Sequence, residues 1–103
     1  MNVYYTKKSK IHGIGIFLRK QININKLIGV GIYYNFLNIP FVTKKFGSLI
    51  NHSKEPNCYL KYDFKKNIYN VYSLKIIKKD EEITLNYNDL PWFCCGPDSN
   101  WKN

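Results

Sequence analysis

From residue 3 to residue 87 the chain is written in short β-rich runs broken by polar turns, and little of it could form an amphipathic helix. Residues 3–6 (Val-Tyr-Tyr-Thr) and 15–18 (Gly-Ile-Phe-Leu) are rich in β-branched and aromatic side chains, and the Ser-Lys and His-Gly pairs between them suit a hairpin turn. Residues 27–34 read as a third strand, in which Gly29 and Gly31 mark a bend or a close backbone approach. After Cys58 the alternation is regular, with Leu60, Tyr62 and Phe64 on one face and Tyr59, Lys61 and Asp63 on the other. That period of two belongs to a half-buried strand. Lys65-Lys66-Asn67 is a turn, 68–77 the return strand, Lys78-Lys79-Asp80-Glu81 another turn, and 82–87 a last strand. Only residues 41–49 suit a short helix. The fold class that follows is mostly β, in several small sheets.

Composition narrows the class further. A chain of 103 residues supports one small core, and 45% apolar with 17% aromatic residues is enough to fill it, which argues against disorder. Sixteen Lys and Arg against seven Asp and Glu give a net charge of +9. Such a balance favours polyanionic partners, although a chain crowded with Lys, Ile, Asn and Tyr also has the composition that an AT-rich genome produces. The N-terminal residues lack the long apolar stretch of a secretion signal, and no apolar run approaches the length of a membrane span. Cys58, Cys94 and Cys95 are odd in number and two are adjacent, so a disulfide scaffold is not expected. The expected location is intracellular, cytoplasmic or nuclear and not secreted, with no membrane contact.

Three segments carry chemistry. Gly13-Ile14-Gly15-Ile16 puts two glycines at a strand edge, where the lack of a Cβ lets backbone approach a ligand, yet no third glycine completes a dinucleotide-binding fingerprint. Asn51-His52-Ser53-Lys54-Glu55-Pro56-Asn57 places an amide and an imidazole beside a turn rich in polar residues. Thirty positions beyond Asn57, Tyr87 ends Glu82-Ile83-Thr84-Leu85-Asn86-Tyr87.

In this order the three segments resemble the SET domain of protein lysine methyltransferases, in the compact viral and bacterial form without a pre-SET domain. The resemblance covers about residues 3–92 and implies a SET domain over 1–89 with a short tail at 90–103. It implies a pseudoknot, in which the segment of Asn51 and the segment of Tyr87 thread past each other. It implies S-adenosyl-L-methionine as cofactor, met by Gly13, Ile14, Gly15, Ile16, Asn51 and His52, with Trp92 stacking on adenine. It also implies a catalytic Tyr87 at the neck of a lysine channel to which Tyr33 or Tyr34, Leu60 and Leu85 contribute. Methyl transfer needs a neutral amine, and an apolar channel lowers the lysine pKa from its ordinary ~10.4 by desolvation. Leu60 and Leu85 stand where relatives restrict product by an aromatic, which leans away from strict monomethylation.

The departures matter as well. Where many relatives place a zinc-binding cysteine after Asn-His-Ser this chain has Lys54, and the tail keeps only Cys94 and Cys95, too few for a closed zinc site. No metal is expected. The insert between the third strand and Asn51 is very short, roughly 35–49, which bears on the peptide groove and on turnover. The expected substrate is a lysine-containing protein such as a histone, nucleic-acid or nucleosome contact is expected to be only non-specific, and a homodimer is left open. Two other readings stand beside the enzyme: a degenerate SET fold that binds cofactor or peptide without turnover, and a small basic nucleic-acid-binding domain built on Tyr59-Leu60-Lys61-Tyr62-Asp63-Phe64-Lys65-Lys66.

Overall fold

A computed structural model describes residues 2–91. Eight strands form three sheets among them: β1 (Tyr4–Lys8) with β2 (Ile14–Leu18), then β3 (Leu27–Tyr34), β4 (Pro40–Val42), β6 (Cys58–Asp63) and β7 (Ile68–Ser73) in the order β4-β3-β7-β6, and β5 (Asn51–His52) with β8 (Thr84–Leu85). The mostly β fold of several small sheets is thus observed.

β1 and β2 form the expected antiparallel hairpin, with Thr6 opposite Ile16. Ile16 and Leu18 have no solvent exposure and drive the hairpin onto the core, where they meet Ile50, Val71, Ile77 and Ile83. β3 has the predicted bounds, and its register against β7 shifts between Leu27 and Gly29 and again between Val30 and Ile32. Both glycines answer to close packing. A Cβ on Gly29 would stand 2.9 Å from the Phe46 ring, and one on Gly31 would meet Leu60 and Val71 at 3.0 and 3.1 Å.

Four expectations are corrected. Residues 41–49 do not form a helix: Pro40–Val42 adds an edge strand to β3, and only Gly47–Leu49 turns, as a single 3₁₀ turn. Thr43 explains the change, since its hydroxyl donates to the Val30 carbonyl at 2.8 Å and accepts from the Gly47 N–H at 2.7 Å, pinning the segment to β3. The return strand stops at Ser73, whose hydroxyl donates to the Asn23 carbonyl at 2.5 Å and accepts from the Lys26 N–H at 2.9 Å. The last strand shrinks to Thr84–Leu85, and Tyr87 opens a second 3₁₀ turn, Tyr87–Asp89. On β6 the face of Leu60, Tyr62 and Phe64 is not uniformly half-buried, because Tyr62 is 43% and Phe64 77% exposed. Both lie toward the end of β6 that leads into the turn at Asn67. The turns before β7 and after residue 78 are as expected, with Asn67 and Asp80 at positive φ.

Candidate active site

Two residues of β5 lie parallel to two of β8, Asn51 opposite Thr84 and His52 opposite Leu85. So short a pairing is held from outside. Asn57 is the brace: its Nδ2 donates to the Glu82 carbonyl at 2.8 Å, its Oδ1 accepts from the Thr84 N–H at 2.8 Å, and its own N–H reaches the Thr84 hydroxyl at 3.2 Å. The Ser53 N–H donates to the Leu85 carbonyl at 2.9 Å. Asn57 and Thr84 are both buried, and their side-chain polar atoms find their partners in each other's segment.

On one side of β5 the Asn51 amide joins all three sequence segments. Its Nδ2 reaches Glu82 Oε2 at 2.8 Å, Ser9 Oγ at 3.0 Å and the His12 carbonyl at 3.0 Å. Ser9 in turn donates to the Glu82 carboxylate at 2.8 Å and accepts from the Ile11 N–H at 2.9 Å, shaping the loop that leads to Gly13. Gly15 faces this carboxylate: a Cβ there would lie 2.8 Å from Glu82 Cδ and closer still to Oε2. The room left by the second glycine is therefore taken by the protein's own acid. At Gly13, with φ of 50°, a Cβ would meet nothing within 4 Å, so this stretch of backbone stands open.

On the other side, His52 and Tyr87 face each other with ring centroids 5.2 Å apart. The Tyr87 N–H donates to His52 Nδ1 at 3.0 Å, which requires that nitrogen to be unprotonated and puts the proton of the neutral ring on Nε2. Burial, and then the Lys54 charge, hold the His52 pKa below its ordinary value, consistent with that bond. The Tyr87 hydroxyl donates to the Ile50 carbonyl at 2.5 Å, and burial raises its pKa to about 12. The residue is held at both ends, its backbone by His52 and its neutral phenol by the Ile50 carbonyl.

Tyr87 opens onto a cleft of about 370 Å³ whose other walls include Gly31, Ile32, Val42, Leu60 and Leu85. The walls are predominantly apolar, so an amine entering them would be desolvated. Leu60 and Leu85, which the resemblance named for a channel, both line this cleft. Tyr33 is not on this wall: it is 41% exposed and stacks on Phe41, with centroids 5.8 Å apart. The register shift between Val30 and Ile32 is the reason, because it brings Gly31 and Ile32 to the cleft. Tyr34 is partly buried and likewise absent from the lining. Ile16 is wholly buried, leaving only its backbone for a ligand, and Ile14 is 48% exposed. Trp92, Cys94 and Cys95 lie outside the described residues.

Sequence reasoning missed Ser9 and the carboxylate of Glu82 as members of the site. A serine four residues before a Gly-x-Gly carries no signal, but an acid directly before the apolar Ile83 at the start of a strand could have been flagged. Cys58 has a tempting position beside Asn57, yet burial pushes its thiol up to about 12 and leaves it unreactive. Among the described residues no group of three or more His, Cys, Asp or Glu could hold a metal ion.

The arrangement matches known proteins. The family model for the SET domain matches residues 32–88. A histone-lysine N-methyltransferase of Schizosaccharomyces pombe, H3 lysine-37 specific, is 43% identical over 47 residues, which are 46% of this chain and 32% of that protein. The histone-lysine N-methyltransferase set-2 of Caenorhabditis elegans is 32% identical over 112 residues, covering 78% of this chain and 7% of that protein. The chain thus spans about a third of the first relative's length and far less of the second. A solved structure from Plasmodium falciparum, described as a candidate histone methyltransferase, superposes with a TM-score of 0.67 at 25% identity, over 82% of this chain and 91% of that one. With the family model covering more than half of its length, this chain belongs to the SET-domain family.

Proposed function

We propose that the chain is an S-adenosyl-L-methionine-dependent protein-lysine N-methyltransferase acting on a histone or another lysine-bearing protein. The observation that carries this reading is Tyr87, its backbone held by His52 and its neutral phenol by the Ile50 carbonyl, on the wall of an apolar cleft large enough for a lysine side chain. Residues 1–89 would form the SET domain, and 90–103 a tail without a zinc site.

The residues fit the cofactor. Asn51 is buried and its Nδ2 is fully engaged, while its Oδ1 accepts no hydrogen bond among the described residues. The Nδ2 bond to the His12 carbonyl brings this side chain next to the open backbone at Gly13, and its oxygen would be the acceptor for an ammonium group. When bound, the cofactor supplies a methyl group on a sulfonium. The chain's own part is positioning. The cleft formed by Leu60, Leu85 and Ile32 excludes water from the lysine amine and favours its neutral form. The Tyr87 oxygen, whose proton is given to Ile50, turns its lone pairs to the amine or the methyl hydrogens. Gly13 and Asn51 would hold the cofactor beside the site, and the Tyr87 hydroxyl with the cleft walls would hold the neutral amine to which the sulfonium would supply its methyl group.

Incubation with radiolabelled S-adenosyl-L-methionine and a panel of histones tests the proposal, with Tyr87→Phe as the control. That variant keeps the ring and should bind cofactor normally, while turnover falls by about 10²–10⁴. Cofactor binding by a wild type that methylates no protein in the panel or in cell lysate would establish a binding module instead of an enzyme. Full turnover by Tyr87→Phe would move the active site elsewhere.

A further inference from the structure

The β6–β7 hairpin ends in a feature that methyl transfer does not use. A second hollow, of about 250 Å³, is lined by Lys61, Tyr62, Asp63, Phe64, Lys65 and Tyr72. Phe64 is 77% exposed there, a large apolar ring set between lysines at the tip of a hairpin. Behind it Tyr59 stacks on Tyr72 across the strands, with centroids 5.8 Å apart and planes 20° from parallel. The Lys61 ammonium lies 5.9 Å from the Tyr72 ring centroid. Asp63 is the one acid in the hollow, and its Oδ1 accepts the backbone N–H groups of Lys65 and Lys66 at 3.0 and 3.3 Å. Those bonds fix the turn that carries the two lysines.

We propose that this hollow is a binding site for single-stranded nucleic acid, with the exposed Phe64 ring as the stacking face for a base and Lys61, Lys65 and the neighbouring Lys66 as phosphate contacts. Charge and surface chemistry select this occupant. The lining contains aromatic rings and ammonium groups and no aliphatic side chain, and it belongs to a chain of net charge +9. An apolar peptide would leave the lysines unmatched, and a second copy of the chain would bring positive charge against positive charge. A polyanion with flat faces satisfies both parts of the site. A duplex keeps its bases stacked inside and cannot cover the Phe64 ring, so the single strand is preferred. Stacking and phosphate contacts do not depend on the sugar, so RNA and DNA strands should bind alike.

The test is fluorescence anisotropy with labelled oligo-uridine, oligo-thymidine and a hairpin duplex of about ten nucleotides or base pairs, a length within one small binding site. Single strands of both sugars should bind, and more tightly than the duplex. Phe64→Ala should weaken single-strand binding by about 5- to 150-fold, the worth of one stacked base, with the slope against salt unchanged. Its melting temperature should stay near wild type, because the ring is exposed. Lys65→Ala with Lys66→Ala should instead flatten the salt slope, by about 0.7 for each phosphate that is no longer neutralised. Three results would overturn the proposal: equal binding of the duplex, affinity indifferent to Phe64→Ala, or displacement of the strand by polyglutamate as readily as by unlabelled strand. Each would leave only the general attraction of a basic protein for anions.

Discussion

Gly15→Ala should destabilise the protein through a carboxylate and not through backbone strain, and a double-mutant cycle with Glu82→Ala can prove it. Gly15 lies mid-hairpin without a positive φ, so alanine is conformationally acceptable there. Its new methyl would overlap the end of the Glu82 side chain, with Ser9 Cβ next at 3.1 Å. A flexible side chain can move aside, and the steric cost alone would be small. What moving forfeits is the bonding of the Glu82 carboxylate to the Ser9 hydroxyl and the Asn51 amide. Hydrogen bonds to a charged group are worth about 1.5–3 kcal/mol each, and partial exposure of Glu82 reduces that, so Gly15→Ala should cost about 2–3 kcal/mol in the wild type. For a domain of this length that is a fall in melting temperature of roughly 8–24 °C. In the Glu82→Ala background the methyl meets no carboxylate, and the same substitution should be neutral or stabilise by about 0.4–1 kcal/mol through the unfolded chain. Thermal unfolding of the four proteins yields the coupling. Costs that add to within about 0.5 kcal/mol would refute the reasoning, because independent sites behave that way.

Gly47→Ala should be harsher than its size suggests, since its Cβ would press on the Gly31 carbonyl oxygen and lie 2.9 Å from Thr43 Oγ1. Backbone cannot step aside, so a loss of about 2–3 kcal/mol in chemical denaturation is expected, with reduced turnover because Gly31 and Gly47 both line the cleft. Asn57→Ala should leave the Thr84 N–H and the Glu82 carbonyl without their partner and cost about 2–4 kcal/mol, read in the same assay. The pKa of His52 is depressed in the folded protein, so the folded state prefers the neutral ring. Its contribution to stability is complete above the unfolded value of ~6.5 and is lost as pH falls through the lower folded value. Melting temperature should therefore drop on acidification below about pH 6.5, and His52→Gln should flatten that dependence.

The strands of the hairpins were legible because each is a run of β-branched and aromatic residues ending in a turn that needs Asn, Asp or Gly, as at Asn67 and Asp80. Residues 41–49 misled because Phe41, Val42 and Phe46 have spacing compatible with a helix, while the decisive contact, the Thr43 hydroxyl on Val30, is tertiary. Phe64 continues the alternation of β6 and is nevertheless exposed, since the pattern specifies a face and not what covers it. Leu60 and Leu85, which line the cleft, could be named from the family resemblance. Tyr33 could not be placed, because a register shift changes which neighbour faces inward and no residue type announces it. Ser9 is the clearest illegible case: it lies 73 positions from Glu82, and only the fold makes them partners.

β5 explains how so few residues can serve two purposes. Three consecutive positions, Ile50, Asn51 and His52, each supply a different contact: the Ile50 carbonyl receives the Tyr87 hydroxyl, the Asn51 amide turns to Ser9 and Glu82, and the His52 ring receives the Tyr87 N–H. Strand geometry enforces the division, since neighbouring side chains point to opposite faces. Asn51 therefore belongs to the side of the open Gly13 backbone, and His52 to the side of the cleft. Tyr87 is fixed by the two residues that flank Asn51, through the Ile50 carbonyl and the His52 ring. A shift of β5 that disturbed the Asn51 network would displace the tyrosine with it, so the two halves of the site cannot move independently. This is the physical reason for a two-residue strand to be locked by Asn57 and Ser53 when its own ladder is too short to hold it.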